Sequence, residues 1–432
     1  MKLSPPEAHE APRGPPSDPW TRPPADGDAT SEPAAPTPTP TATAGTGASG
    51  PWRTLLCAGL MALIVGMCVF PAGPSLNPGK RYQYLLALTL YLPALIFGFI
   101  HMARWLELGR RPLMPWLVLL FVWSTLSLAW TNASRPLDEV LRILSVLVFL
   151  FAWLHGVGND PRRQQWMLVG GAGVLAVTAG VAMVRFALHP PPDGRVVGIG
   201  VMANANLIAA SMGAGLLWLW PWRFQTWGGR LLKWLAMGLL ATCLALTESR
   251  SAWLGLFAAL LVLLAARRSE RAVRSVTAVS VVGMGVALAA YPELSERGWS
   301  FRPQIMQYAW SMIEQQPWTG LGLGAHFTIP VQGSAAQVHT HNLFTQIAVE
   351  LGLPGLILWS CIWLGLGWRA WRCRHDLIGR IVLGVWVFAS VMVQFDLPHL
   401  IDSPRPGWLI IWLPLALSLS LAPPPAEQLA SR

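Results

Sequence analysis

Charge is scarce in this sequence. Only 12% of its 432 residues are Asp, Glu, Lys or Arg, whereas a soluble domain carries about a quarter. An ordinary soluble fold of this length is excluded on that ground. The five cysteines, Cys57, Cys68, Cys243, Cys361 and Cys373, form no CxxC pair. That spacing offers neither a disulfide framework nor a zinc ribbon, so they read as small residues within or beside apolar runs. No short basic start leads directly into an apolar core, which is the mark of a signal peptide. The first apolar run, Leu55 to Pro71, takes the membrane-targeting role instead. Acidic residues are fewer than basic ones, 21 against 31, for a net charge of +10. A nucleic-acid partner is set aside, because the basic residues sit in short loops between apolar runs, where they mark a cytoplasmic face.

What is abundant is hydrophobicity: 53% of residues are apolar and 24 are Trp. A helical crossing of a bilayer needs roughly 20 apolar residues. Apolar runs and their breakers place spans at 54–71, 83–101, 113–130, 138–157, 166–187, 204–221, 231–247, 251–266, 273–291, 343–366, 379–396 and 406–422. The expected fold is an all-α polytopic membrane protein with about twelve transmembrane helices. No internal repeat of the transporter type is visible. Residues 1–50 are rich in Pro, Ala, Thr and Gly and cannot bury enough surface to offset their ordering entropy, so they are expected to be a disordered tail. The membrane domain takes 51–422, with a large loop at 292–342, and 423–432 is a short second tail.

Loop charge assigns the sides. Arg162 and Arg163, Arg267, Arg268, Arg271 and Arg274, and Arg369, Arg372 and Arg374 all fall in one alternate set of loops. The opposite set holds only scattered cations, such as Lys80, Arg81, Arg135, Arg195, Arg250 and Arg405. The positive-inside rule puts the first set and both termini in the cytoplasm, and the long loop outside.

The few outer cations then carry the chemical information. RVVGIGVMANAN sets Arg195 ahead of Asn204 and Asn206 at the start of the sixth span. LTESRSAWLGL sets Arg250 in a tight turn between two spans. FRPQIMQYAWSMIEQ sets Arg302 at the head of a stretch in which Ile305, Met306, Ala309, Met312 and Ile313 recur at helical spacing. That stretch is expected to lie along the membrane surface. Guanidinium forks suit phosphate oxygens, so three on one face point to an anionic ligand. A structural reading stands beside it, with each arginine capping a carbonyl, snorkelling to lipid or pairing with a local acid. The following GLGLG has no preceding strand, so it is not a nucleotide loop. It is expected to be a flexible turn where backbone approaches a ligand.

VHTHNLFTQIAVELGLPG closes the series. His339 and His341 precede Asn342, a helix N-cap candidate, and Glu350 lies about two turns deeper. Two histidines at i, i+2 fall short of a metal site, which needs a third ligand. His399, Asp396 and Asp402 are the distant candidates for one, and metal is the minor reading. Imidazole titrates near neutrality and can take a proton from a hydroxyl. Beside phosphate-binding arginines, that chemistry is group transfer from a lipid-linked phosphate donor. Either histidine could be the base, and Glu350 could orient a histidine, pair with an arginine or bridge helices.

These four stretches, in this order over 195–355, resemble the Wzy_C/O-antigen ligase family of bacterial envelope proteins. His341-Asn342 followed by Gly352 fits the family's histidine signature, while Ala205 stands where many relatives have proline. The resemblance implies a GT-C-like helical glycosyltransferase in the inner membrane, active on its periplasmic face without metal or cofactor. It implies an O-antigen polysaccharide on undecaprenyl pyrophosphate as donor and a sugar hydroxyl of lipid A–core oligosaccharide as acceptor, with membrane lipids around both. His341 or His339 would be the general base. Arg195, Arg250 and Arg302 would bind the pyrophosphate, supported by Asn204, Asn206, Asn342 and Glu350. A polymerase or an O-linked protein glycosyltransferase would use much the same residues. A transporter of anionic lipid would need charges spread through the spans and on both faces, and few are found there.

Overall fold

The computed structural model describes residues 50–73, 76–267, 270–289, 301–333 and 335–421. The expected tails (1–50, save Gly50, and 423–432) and the first part of the long loop lie outside them. The described chain is helical, with two isolated antiparallel bridges, Ala72 with Pro78 and Ile329 with Gln337. In chain order the helices are α1 (Gly50–Val69), α2 (Lys80–Ile100), α3 (Ala103–Gly109), α4 (Met114–Leu126), α5 (Pro136–Gly156), α6 (Pro161–Leu188) and α7 (Ala205–Leu219). Then come α8 (Trp227–Leu246), α9 (Arg250–Ala265), α10 (Glu270–Ala289), α11 (Arg302–Gln315), α12 (Leu343–Arg372), α13 (Leu377–Met392) and α14 (Gly407–Leu419).

Each apolar run read from the sequence overlaps one of these helices, and residues 290–291 and 422 of two runs lie outside the described residues. Among the described residues, α1, α2, α6, α8 and α12 are long and apolar enough to cross a membrane. The bent pair of α3 with 114–129, angled at 100°, makes a sixth if it is one span. Helices α7, α9, α13 and α14 are apolar but shorter.

Local chemistry explains several breaks. Within α2, Pro93 has no N–H to give the Thr89 carbonyl four residues back, and the turn widens to a π segment over Ala87–Tyr91. The Thr89 carbonyl faces Gly59 of α1, where an added Cβ would sit 2.2 Å from it. Helices α8 and α9 are joined by a turn in which Glu248 is left-handed, with φ 51°. Close packing relies on small residues, as is usual between membrane helices: Gly213 of α7 and Gly255 of α9 both receive the Phe388 ring of α13. Trp153, Trp218, Trp359, Trp408 and Trp412 are fully buried in the same core.

Helix α11 buries part of the expected stripe. Ile305, Ala309 and Ile313 form its buried face, but Met306 is exposed. The stripe is covered by protein: Ala309 and Ile313 pack on Ala348 and Val349 of α12, and Ile305 packs on Ile329 and Val331. Tertiary contacts take up Ile305, Ala309 and Ile313, while Met306, Tyr308 and Trp310 stay exposed.

Candidate active site

The histidine loop is held from both ends. Asn342 caps α12, its side chain accepting from the Phe344 and Thr345 amides. Its amide nitrogen donates to the Gln394 side chain at 3.0 Å, which ties the cap to the end of α13. Before the cap, His341 is left-handed at φ 53°, a conformation that costs a non-glycine residue energy and points to a constrained site. Gln337, fixed by its backbone bridge to Ile329, places its side-chain oxygen 3.1 Å from His341 Nε2. The His339 and His341 rings meet edge to face with centroids 4.0 Å apart. Inside the helix, Gln346 accepts from the Thr340 amide at 3.0 Å and donates to Glu350 at 2.6 Å. Glu350 therefore steadies the histidine loop through Gln346.

Asp396, on the segment after α13, is where separate elements meet. Its Oδ1 lies 4.0 Å from His341 Nδ1. Its Oδ2 accepts from Asn206 of α7 at 2.5 Å. Asn206 Oδ1 in turn accepts from Arg195 at 3.2 Å and from the Ser249 hydroxyl at 2.9 Å. Arg195 also donates to the Thr247 carbonyl at 2.8 Å, closing the α8–α9 turn that carries Arg250. Arg302 donates to the Phe395 carbonyl at 3.0 Å and lies over the Phe395 ring, and its buried Nε has no hydrogen-bond partner. Asn204 caps α7 by accepting from the Asn206 and Leu207 amides.

The electrostatics follow from this crowding. Burial lowers the Arg302 pKa; Asp396 opposes that shift and Arg250 adds to it. Burial likewise lowers His341, Asp396 acts to raise it, and Arg302 lowers it further. His339 is pushed down to about 3 by burial and by His341, His399 and Arg405, so it is neutral near pH 7. Its buried Nδ1 has no hydrogen-bond partner.

The first part of the GLGLG turn, Gly320 to Gly322, packs against its own chain, while Leu323 and Gly324 line the cavity described below. Helix α12 breaks at Gly352, with φ 65° and ψ −171°, ahead of Pro354. The Leu321 and Gly322 amides donate to the freed Val349 and Glu350 carbonyls, each at 2.8 Å, and Leu353 N donates to Pro317 O at 2.7 Å. Trp123 of α4 donates to the Leu351 carbonyl at 2.8 Å. A Cβ at Gly320 would lie 2.5 Å from the Glu350 carbonyl oxygen. The two glycine-rich motifs thus stitch a broken helix, the arrangement that allows irregular backbone at membrane depth.

Beside this cluster opens a cavity of about 1010 Å³. His339, Asn204, Glu350 and Asp396 line it, whereas Arg195, Arg250, Arg302 and His341 do not. Its other polar walls come from residues that sequence reasoning had passed over or weighed for other roles: Glu139 and Arg142 of α5, and Asp402 and Arg405 before α14. Charges inside an apolar run, as at Glu139 and Arg142, were the available signal. Among the described residues, no group of three or more His, Cys, Asp or Glu side chains is placed to hold a metal ion.

The site is thus a histidine–carboxylate–arginine cluster set in a helical, membrane-type fold, with a large polar cavity alongside. Residues 235–360 match the Wzy_C family model, described as O-antigen ligase. The matched interval includes Arg250, Arg302, both histidines and Glu350, and begins after Arg195, Asn204 and Asn206. A particular relative is an O-antigen ligase of Pseudomonas aeruginosa, 26% identical over 376 residues that cover 85% of this chain and 90% of that protein. At the family level these similarities imply a glycosyl-transferring enzyme of the membrane.

Proposed function

We propose that this protein is an O-antigen ligase. It transfers a polysaccharide from undecaprenyl pyrophosphate to a sugar hydroxyl of lipid A–core oligosaccharide, at the periplasmic face of the inner membrane. On this reading the shorter helices cross as well, giving about twelve crossings in a GT-C-like arrangement with both termini cytoplasmic. The observation that carries the proposal is the approach of His341 to Asp396, with Asn206, Arg195 and Arg302 around the same carboxylate.

In this mechanism the acceptor oxygen attacks the anomeric carbon and its proton passes to His341. The bond from the anomeric carbon to the phosphate oxygen breaks, and its electron pair leaves with the pyrophosphate. In-line displacement inverts the anomeric centre. Arg195, Arg250 and Arg302 stabilise the charge that builds on the leaving group. The pyrophosphate is itself the labile leaving group, so neither ATP nor a metal is required. Asp396 favours His341 as the base, because it stabilises the imidazolium formed once the proton has moved. His339 meets the opposite environment: His341, His399 and Arg405 all disfavour its charge. It holds the acceptor hydroxyl as a neutral hydrogen-bond partner.

The test is a reconstitution of full-length protein with undecaprenyl-pyrophosphate glycan and rough lipopolysaccharide, in chelator and without ATP. Glycan attached to lipopolysaccharide supports the ligase reading. Glycan lengthened on its lipid carrier, with lipopolysaccharide untouched, replaces it with a polymerase.

A further inference from the structure

All three arginines on the wall of the large cavity are matched to a carboxylate three residues away. Arg142 meets Glu139 at 2.6 Å, Arg405 meets Asp402 at 2.5 Å, and Arg135 meets Asp138 at 4.0 Å. Arg405 also donates to Asn77 at 2.8 Å. With Asp396 added, the carboxyl groups of Asp138, Glu139, Asp396 and Asp402 outnumber the three guanidinium groups on this wall. A phosphate would meet guanidiniums already engaged by acids, in a surplus of like charge, and is disfavoured there. A polyhydroxylated ring is favoured. Each Arg–carboxylate pair presents N–H donors beside an oxygen acceptor, the pattern that adjacent sugar hydroxyls match. At about 1010 Å³ the cavity is at the top of the range for small-ligand pockets, large enough for an extended glycan.

Position separates this wall from the phosphate-binding side. Arg195, Arg250, Arg302 and His341 do not line the cavity, while Asp396, Asn204 and His339 do, and His341 adjoins it only through its ring contact with His339 and its approach to Asp396. Asp396 faces both: through Asn206 it connects to Arg195, and its own side chain reaches the cavity. In-line displacement requires the attacking hydroxyl to approach from the side opposite the leaving phosphate. We infer that the cavity wall built from Glu139–Arg142 and Asp402–Arg405 is the acceptor subsite, binding uncharged hydroxyl-bearing sugar rings of the acceptor glycan. This rests on the glycosyltransferase reading above and adds which residues select the acceptor.

Two variants test it. Glu139→Gln keeps the shape but loses the carboxylate. Ser134→Trp, at an exposed position on the same wall, narrows the cavity without cutting a buried ion pair. The probe is delipidated core oligosaccharide from rough lipopolysaccharide, titrated calorimetrically into full-length protein in nanodiscs, so no turnover is needed. The expected result is binding to wild type and an affinity about tenfold or more weaker in both variants, the scale of one charge-assisted hydrogen bond. Undecaprenyl pyrophosphate should bind all three proteins equally, and that equality also shows that the variants are folded. Absence of oligosaccharide binding to wild type, or equal binding by all three proteins, overturns the subsite. Weakened binding of undecaprenyl pyrophosphate glycan in place of the core oligosaccharide assigns the wall to the donor and also overturns it. Failure of the ligase reading looks different: the oligosaccharide binds as described, but no glycan is transferred to lipopolysaccharide.

Discussion

The Asn206 side chain of α7 donates to the Asp396 carboxylate at 2.5 Å across 190 positions of sequence. With that bond, the N-terminal motif carrying Arg195 and the loop carrying His341 share one acid. Replacing Asp396 by Asn removes the group that stabilises a protonated His341. Transfer should fall by roughly two orders of magnitude, the lower range of general-base contributions, with donor binding little changed. Steady-state kinetics of the reconstituted variant check it.

The same pair sets a pH dependence. The base must be unprotonated to act, so kcat/KM rises as pH climbs through the His341 pKa, which lies below the ordinary histidine value. Asp396 pushes that pKa up. In Asp396→Asn the acidic limb should therefore move to lower pH. A limb that stays in place would assign it to another group.

Arg302 should not tolerate lysine. Its guanidinium donates to the Phe395 carbonyl while lying over the Phe395 ring, and an ammonium cannot keep both and still offer a planar fork. Arg302→Lys is expected to raise the donor KM about tenfold, equivalent to roughly 1.4 kcal/mol, and to leave the acceptor KM nearly unchanged.

Gly352 sits in backbone geometry that is essentially glycine-only, and a Cβ there would lie 2.6 Å from the Trp318 carbonyl oxygen. Gly352→Ala should cost at least ~1–3 kcal/mol from strain alone, read as a lowered Tm in detergent. Gly238 has open space around its Cα and lies mid-helix in α8, so Gly238→Ala is the neutral comparison.

His339 makes the fold acid-sensitive. Its folded pKa is about 3, while an unfolded chain titrates near 6.5. The unfolded state thus binds the extra proton first, and stability drops as pH falls from about 6.5 towards 3. His339→Asn should flatten that part of the pH–stability curve, which thermal melts at pH 4, 5 and 7 would reveal.

Much of this was legible in the sequence, and the reasons differ by element. Apolar runs located the helices because uninterrupted hydrophobicity has few other uses at that length. Asn342 and Asn204 were readable as helix caps or starts because capping is local chemistry. The break at Gly352-Leu353-Pro354-Gly355 carried its own breakers. The stitching of that break by Leu321 and Gly322 was hidden, since backbone bonds between distant loops leave no side-chain pattern. Asp396 and the ion pairs Glu139–Arg142 and Asp402–Arg405 were visible as residues but not as walls of one cavity. Only tertiary packing of α5, α13 and α14 puts them there. Ile305, Ala309 and Ile313 of α11 were legible as one face, but the packing of that face on Ala348, Val349 and Ile329 was not.

In the proposed mechanism His341, supported by Asp396, takes the acceptor proton. The most direct test is the single-turnover rate of glycan transfer by His341→Ala, beside wild type and His339→Ala, with donor binding measured on the same samples. The mechanism predicts that His341→Ala binds donor normally and transfers at least about a hundredfold more slowly, while His339→Ala mainly weakens acceptor binding. Near-normal transfer by His341→Ala, with the large loss in His339→Ala instead, would contradict it and move the base to His339.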